Sequence, residues 1–109
     1  MLHSALERGV DIAYSVNNVP IRLTAERWYH IVESHDDVAG HYDDVLQAVE
    51  DPDFVVKGYR GSLIAVRGAG LRRYFCVIYR ELNQDDGFVI SAYFTSHINR
   101  RRIVWRRER

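Results

Sequence analysis

Histidines, arginines and hydroxyl side chains are the residues of this chain whose types could do chemistry. The chain has five histidines, and fourteen of its fifteen basic residues are arginine, the residue suited to planar, bidentate contact with phosphate or carboxylate. It has no Gly-x-Ser-x-Gly sequence, no phosphate-binding glycine-rich loop and no His-Glu-x-x-His. Cleavage of RNA needs none of these, because the 2′-hydroxyl is the nucleophile. It needs a group that moves a proton and cations that stabilise the charged phosphate.

Two histidines lie within or beside a predicted helix that begins near Thr24. Four residues recur at helical spacing and predict one buried stripe: Trp28, Ile31, Val32 and His35. His35 ends this stripe, where a satisfied core or helix-capping role is the alternative to a catalytic one, and His30 lies off the stripe on the exposed side. A metal site built from His35, Asp36, Asp37 and His41 is not favoured, because the spacing matches no ligand pattern and crosses a helix break.

Gly87–Ser96 predicts a strand whose two faces differ. One face is wholly apolar and should be buried under the helices: Phe88, Ile90, Ala92 and Phe94. The other face is half hydroxyl-bearing, which a core would penalise, and should look into a groove: Val89, Ser91, Tyr93 and Thr95. Any site is therefore expected on the second face.

The arginines that could share that second face are selected by strand parity. Arg67, Arg73 and Tyr79 have the same parity and could line up across the sheet with Tyr93 and Thr95, and ordinary cross-strand pairing is the alternative. The charge is also segregated. Residues 24–56 hold nine acidic side chains against one basic, and residues 57–109 hold twelve basic against four acidic. Either salt bridges join the two halves, or a basic sheet face and tail bind a polyanion.

The predicted order of strands and helices that carry these residues indicates an α+β fold. We expect one domain over residues 1–109: an N-terminal β-hairpin, then two helices packed on one face of a four- to five-stranded antiparallel sheet. Residues 1–9 carry no clear pattern, and either a fraying helical turn or disorder is expected there. The arginine-rich segment 97–109 contains Ile103-Val104-Trp105 and is expected to be ordered against the core.

Composition favours a cytoplasmic protein. The single cysteine, Cys76, lies in an apolar run and predicts a buried thiol, and one cysteine allows no internal disulfide framework. No apolar run approaches the ~20 residues of a membrane span, and the first ten residues do not have the pattern of a secretory signal.

One stretch resembles a known family. Ile21–Ile31, with the sequence IRLTAERWYHI, and the following Glu33-Ser34-His35 resemble the opening of small phage- and plasmid-associated proteins. The layout from Val45 to Pro52, the strand ending in Arg67 and the sequence FVISAY at Phe88–Tyr93 are also similar. Those proteins are grouped with the barnase–EndoU–colicin–RelE-like ribonucleases, which act without a metal and are often toxins of toxin–antitoxin systems.

The resemblance implies a barnase/RelE-like fold and an endoribonuclease that uses no cofactor and no metal. It places the catalytic roles on six residues: His35, His30, Arg67, Tyr93, Thr95 and Ser96. The RNA-binding residues would be Arg60, Arg73, Tyr79, Arg100, Arg101 and Arg102. RNA and a cognate antitoxin protein are the expected partners, with a homodimer as a further arrangement and no membrane. The chain departs from the family where His35 is followed by Asp36 instead of proline, which leaves the orientation of His35 open. The alternative function is a non-catalytic RNA- or protein-binding module that uses the arginine-rich sheet face and tail.

Overall fold

The start of the chain forms the hairpin that its alternating pattern predicts. In the computed structural model, which describes residues 9–108, β1 (Val10–Tyr14) pairs antiparallel with β2 (Pro20–Thr24). Asn18 lies in the turn with φ 62°, a left-handed conformation that asparagine tolerates better than most residues. The prediction for residues 1–9 falls, apart from Gly9, outside the described residues.

Two helices follow the hairpin at the predicted places. Helix α1 (Ala25–Ser34) begins where the Thr24 hydroxyl accepts a hydrogen bond from the backbone N–H of Arg27 at 3.0 Å. After a short 3₁₀ turn at Asp36–Val38, helix α2 (Tyr42–Glu50) runs to the Asp51-Pro52 stop. Neither helix is long and apolar enough to cross a membrane.

The remaining strands are β3 (Phe54–Lys57), β4 (Leu63–Gly68), β5 (Tyr74–Asn83), β6 (Asp86–Thr95) and β7 (Ile103–Arg106). They join the hairpin in one seven-stranded sheet of order β1-β2-β6-β5-β4-β3-β7, in which only β2 and β6 pair in parallel. The α+β class is confirmed. The predicted count of four to five strands is wrong, because both the hairpin and the C-terminal segment hydrogen-bond into the same sheet.

The sheet has a helix side and an open side. On the helix side, residues of both helices form the main core with strand residues such as Ile21, Val77 and Ala92. On the open side, a smaller apolar cluster forms around Phe54, Val56, Val66 and Cys76, against which Ile98 and Ile103 of the C-terminal segment pack. The C-terminal segment therefore covers part of the face that neither of the two described helices covers.

A β-bulge changes the predicted faces of β6. Ile78 of β5 pairs with Ser91 and Tyr79 pairs with Val89, so Ile90 has no partner across the ladder. The extra residue reverses the alternation, and Val89 is buried on the helix side at 2% exposure. Ala92 is fully buried and Phe94 packs against the same core, as predicted. Phe88 and Ile90 are only half-buried, and their predicted burial under the helices is wrong.

Candidate functional site

A cleft of about 240 Å³ opens on the helix side, where β4 and β6 end and α2 begins. Residues from four parts of the chain line this helix-side cleft: His41, Asp44, Gln47, Arg67, Gly68, Ala69, Phe75 and Phe94. It joins a histidine and a carboxylate from the start of a helix with an arginine from the end of a strand. Proton transfer and anion binding are therefore available in one place.

His41 is held in one orientation by contacts on three sides. Its Nδ1 lies 2.7 Å from Asp44 Oδ2, and its ring stands 5.1 Å from Phe94 and 5.9 Å from Phe75, measured between ring centres. A carboxylate that accepts from Nδ1–H fixes the tautomer, which leaves Nε2 as the nitrogen able to exchange a proton. The side chain remains 39% exposed and lines the cleft, so the imidazole is not sealed off from solvent.

His41 was not among the predicted catalytic residues, since the sequence drew attention to it only as a disfavoured metal ligand. The signal that could have found it is the spacing of His41 and Asp44 at the start of α2. Residues three apart on a helix are neighbours, so this histidine and this acid had to meet.

Arg67 brings a partly anchored guanidinium group to the cleft. Its Nη1 donates to the backbone oxygen of Asp51 at 2.7 Å and lies 3.4 Å from Asp51 Oδ2. Its Nε and Nη2 have no hydrogen-bond partner within residues 9–108. The group is thus oriented at one nitrogen and retains free donors at two others, an arrangement suited to an anion.

A second, more open depression of about 380 Å³ adjoins the cleft at Phe94. It is lined by Asp37, Leu71, Arg72, Arg73, Phe94, Thr95 and Ser96. Arg73 stacks over the Phe94 ring at 4.1 Å. The Thr95 hydroxyl donates to the His97 backbone oxygen at 3.3 Å and accepts from the His97 N–H at 3.2 Å. Three predicted site residues, Arg73, Thr95 and Ser96, therefore lie beside the cleft that contains Arg67.

The two predicted histidines lie outside the cleft. His35 follows the last residue of α1 at the edge of β6, where its ring centre is 6.1 Å from that of Tyr93. It can reach this edge because β2 pairs with β6 only at Gly87 and Phe88. His30 is exposed, and its Nδ1 lies 3.7 Å from Glu33 Oε1. His35 thus contacts one of the predicted partners, while His30 contacts none of them.

The predicted alignment of Arg67 and Tyr79 with Tyr93 is wrong, whereas Arg73 and Thr95 do line one depression. Arg67 is paired with Phe75, a helix-side core residue, whereas Tyr93 is paired with Cys76 of the open-side cluster. The prediction assumed that odd-numbered residues of different strands share one face of the sheet. Which residues share a face depends on the register between strands, and residue numbers alone do not give that register.

Tyr79 is fully buried at 0% exposure, and its hydroxyl has no hydrogen-bond partner among the described residues. Burial, and after it the charge of Glu81, raises the pKa of this phenol. Its predicted role as an RNA-binding residue is wrong, because RNA cannot reach the side chain.

Tyr93 instead lines an open-side cleft of about 300 Å³, together with Val56, Lys57, Ile64, Val66, His97, Ile98, Asn99 and Arg102. Burial raises the pKa of Tyr93 to about 12, with a smaller effect from the adjacent Cys76. The phenol is therefore neutral in the physiological range and is available as a hydrogen-bond donor.

Two of the arginines predicted to bind RNA are engaged by the protein itself. Arg102 donates from Nε to the Lys57 backbone oxygen at 3.1 Å and from Nη2 to that of Gly58 at 3.3 Å. Arg100 donates to the Tyr74 hydroxyl at 2.8 Å. Arg101 and Arg60 are exposed, and Arg60 lies over the Tyr59 ring at 5.3 Å. Arg100 and Arg102 thus help to hold the segment that leads into β7.

Comparison of this chain with known protein families, with curated proteins and with solved structures finds no match. Within the described part of the chain, no three histidine, cysteine or acidic side chains converge as metal ligands would.

Proposed function

We propose that this protein is a ribonuclease that cleaves RNA by acid–base chemistry, without a metal, in the helix-side cleft. The observation that carries the proposal is the pairing of His41 with Asp44 in the same cleft as Arg67. A histidine oriented by a carboxylate and an arginine with free donors are the two components that transesterification at phosphorus requires. The IRLTAERWYHI stretch and the strand FVISAY, which resemble the barnase–EndoU–colicin–RelE-like ribonucleases, support the same reaction class.

In the proposed reaction, His41 Nε2 accepts the proton of the RNA 2′-hydroxyl. The 2′-oxygen then forms a bond to phosphorus while the bond from phosphorus to the 5′-oxygen breaks. The departing 5′-oxygen takes a proton from water, and His41 gives its acquired proton to the hydroxide that remains. The products are a 2′,3′-cyclic phosphate and a 5′-hydroxyl end. Arg67 stabilises the charge that develops on the phosphate, and Arg73, stacked on Phe94, binds the neighbouring backbone.

The histidine of this proposal differs from the one that the resemblance implies. His35 and Tyr93 lie at the β6 edge and do not line the helix-side cleft. Thr95 and Ser96 keep a proposed role, since they line the adjoining depression together with Arg73. They would position the RNA strand next to the scissile phosphate.

A cytoplasmic toxin with a protein antitoxin is the biological setting we propose for this activity. It is supported by the same resemblance, by a single cysteine that is buried, and by a chain with no helix in residues 9–108 able to span a membrane. A small antitoxin gene co-transcribed with this one would support the setting, and a neighbourhood of unrelated genes would weigh against it.

The proposal is tested by incubating purified protein with end-labelled RNA in the presence of EDTA. We expect fragments that carry 2′,3′-cyclic phosphate ends, and we expect His41→Gln to abolish them at unchanged melting temperature. Intact RNA at micromolar wild-type protein would refute the activity. Cleavage that survives His41→Gln but is lost in His35→Gln would move the site to the β6 edge.

The alternative, a non-catalytic binding module, is supported by the exposed side chains of Arg72 and Arg101. It predicts RNA that is bound with strong salt dependence but remains intact, and binding that His41→Gln leaves unchanged. Deleting residues 98–109 would then abolish binding.

A further inference from the structure

We infer that Arg107, just beyond the C-terminal strand β7, is a positioning residue that keeps Arg67 able to bind an anion. The inference rests on the proposed function only in giving Arg67 the anion-binding role. It comes from a cluster of two carboxylates and two guanidinium groups beside the helix-side cleft, here named the clasp: Asp51, Asp53, Arg67 and Arg107.

The clasp divides one carboxylate unequally between two arginines. Arg107 Nη1 lies 2.8 Å from Asp51 Oδ1, and its Nη2 donates to the Asp51 backbone oxygen at 3.1 Å. Arg67 holds the same backbone oxygen at 2.7 Å but lies 3.4 Å from Asp51 Oδ2. The short contact to the carboxylate therefore belongs to Arg107, and Arg67 has only a long one.

The way Asp51 is shared between the two arginines determines which Arg67 nitrogens remain available to an anion. A guanidinium group and a free carboxylate prefer the two-bond, fork-to-fork arrangement, which uses two nitrogens of the arginine. If Arg107 were absent, the Asp51 carboxylate would be free to take that arrangement with Arg67. It would then occupy the nitrogens that now have no partner within the described chain and would compete directly with a phosphate.

The C-terminal strand delivers Arg107 to this place. Strand β7 pairs with β3, Phe54 opposite Arg106, and the Arg107 backbone N–H then donates to the Asp53 backbone oxygen at 3.0 Å. Asp53 in turn accepts at Oδ2 from the backbone N–H of Gly68, a cleft residue, at 2.7 Å. The clasp is thus tied to β4, the strand that carries Arg67, and its geometry depends on β7 remaining paired with β3.

The experiment measures affinity for a short 2′-O-methyl oligoribonucleotide, which lacks the nucleophile and cannot be cut. We expect Arg107→Met to weaken binding about tenfold, the order of effect of a well-formed charge-assisted pair. Asp51→Asn should bind as the wild type or more tightly. The double variant Asp51→Asn/Arg107→Met should return to within about twofold of wild type, since no carboxylate is left to capture Arg67.

The rescue separates positioning from simple support of the fold. If Arg107 only holds β7 in place, removing the Asp51 carboxylate cannot restore affinity, so a double variant as weak as Arg107→Met overturns the inference. Wild-type affinity in Arg107→Met also overturns it, as does binding that Arg67→Met leaves unchanged. If Arg107→Met does not fold, Arg107→Lys takes its place with a smaller loss that Asp51→Asn must likewise restore.

The outcomes also distinguish this inference from the proposed function. RNA that binds through Arg67 with the expected rescue but is never cut refutes the ribonuclease and leaves the inference standing. RNA that is cut by the wild type, with an affinity indifferent to Arg107, refutes the inference alone.

Discussion

The helix-side cleft and the open-side cleft contain similar residue types and differ in what their polar groups are doing. Each has a histidine, His41 in one and His97 in the other, and each has an arginine. On the helix side, His41 is oriented by Asp44, and two nitrogens of Arg67 have no partner among residues 9–108. On the open side, Arg102 is bonded to the backbone oxygens of Lys57 and Gly58, and His97 is exposed.

The difference teaches that a basic residue must be assessed by its partners before it is assigned to a ligand. Arginines that satisfy backbone carbonyls hold a chain segment in place, because an unpaired carbonyl beside a packed surface is destabilising. Arginines that are anchored at one nitrogen and free at the others are prepared for an external anion. By this criterion the helix-side cleft is the stronger candidate site, and Arg102 of the open-side cleft is part of the fold.

The largest expected effect is on the rate of RNA cleavage, when the histidine of each cleft is substituted in turn. His41→Gln should lower the rate of RNA cleavage by a hundredfold or more, since a positioned general base contributes roughly 10²–10⁴-fold. His97→Gln, the matched variant in the open-side cleft, should retain cleavage within about twofold of wild type. Initial rates on one labelled RNA measure both. If His97→Gln cleaves RNA more slowly than His41→Gln, the choice of the helix-side cleft over the open-side cleft is contradicted.

The second prediction compares two arginines, of which one should affect catalysis and the other stability. Arg73→Met should lower kcat/KM about tenfold with little change in melting temperature, because Arg73 stacks on Phe94 and forms no salt bridge with any acidic residue of the described chain. Arg102→Met should leave kcat/KM unchanged and lower the free energy of unfolding by about 1 kcal/mol, the typical value of lost hydrogen bonds to carbonyls.

Steady-state rates measure kcat/KM of each variant, and urea unfolding measures its free energy of unfolding. The assignment of Arg102 to the fold is contradicted if its substitution lowers the cleavage rate of a protein whose stability is unaltered. The assignment of Arg73 to the site is contradicted if its substitution changes stability alone.

The sequence predicted the elements well where one local pattern decided them. The hairpin, both helices and the α+β class follow from alternation, helical spacing and capping residues such as Thr24. The seven-strand count and the faces of β6 do not, because they depend on which distant strands pair. The bulge at Ile90 is set by the register between β5 and β6, and nothing in Gly87–Ser96 alone indicates it.

The candidate site was predicted only in part, again because some of its contacts join residues far apart in the sequence. Arg67, Arg73, Thr95 and Ser96 were named from the sequence, and the structure brings them to one end of the sheet. His41 was missed because its value depends on Asp44 and on two aromatic rings from β5 and β6, of which only Asp44 is near in sequence.

A smaller effect is expected in the core, where the contrast between satisfied and unsatisfied polar groups recurs. The Tyr79 hydroxyl has no partner among the described residues, so Tyr79→Phe should leave stability unchanged or raise it by up to about 1 kcal/mol. Tyr42→Phe is the matched control, because the Tyr42 hydroxyl donates to Asp11 Oδ2 at 2.8 Å, and its loss should destabilise by about 1 kcal/mol. Denaturant unfolding measures both, and a clear loss of stability in Tyr79→Phe would show that this hydroxyl has a partner, such as a buried water.

The smallest effect concerns an ion pair between β2 and the first residue of β6, at the opposite end of β6 from the cleft. Arg22 donates from Nε to Asp86 Oδ1 at 2.8 Å and from Nη2 to Oδ2 at 3.2 Å, and these bonds hold the pKa of Asp86 below its usual value. A carboxyl whose pKa is lower in the folded state stabilises the protein above its unfolded pKa, about 4. That contribution disappears as the pH falls through the lower, folded pKa.

Arg22→Leu should therefore lower the melting temperature slightly at neutral pH, and the difference from wild type should shrink toward zero as the solution is acidified below about pH 4. In an Asp86→Asn background the same substitution should show no such pH dependence, because no carboxylate remains to titrate. Melting curves across an acid pH series with both backgrounds measure this. A difference that grows on acidification would assign the stabilisation to some other group. A difference that stays constant would mean that Arg22 acts through packing of its stem against β6 and not through its charge.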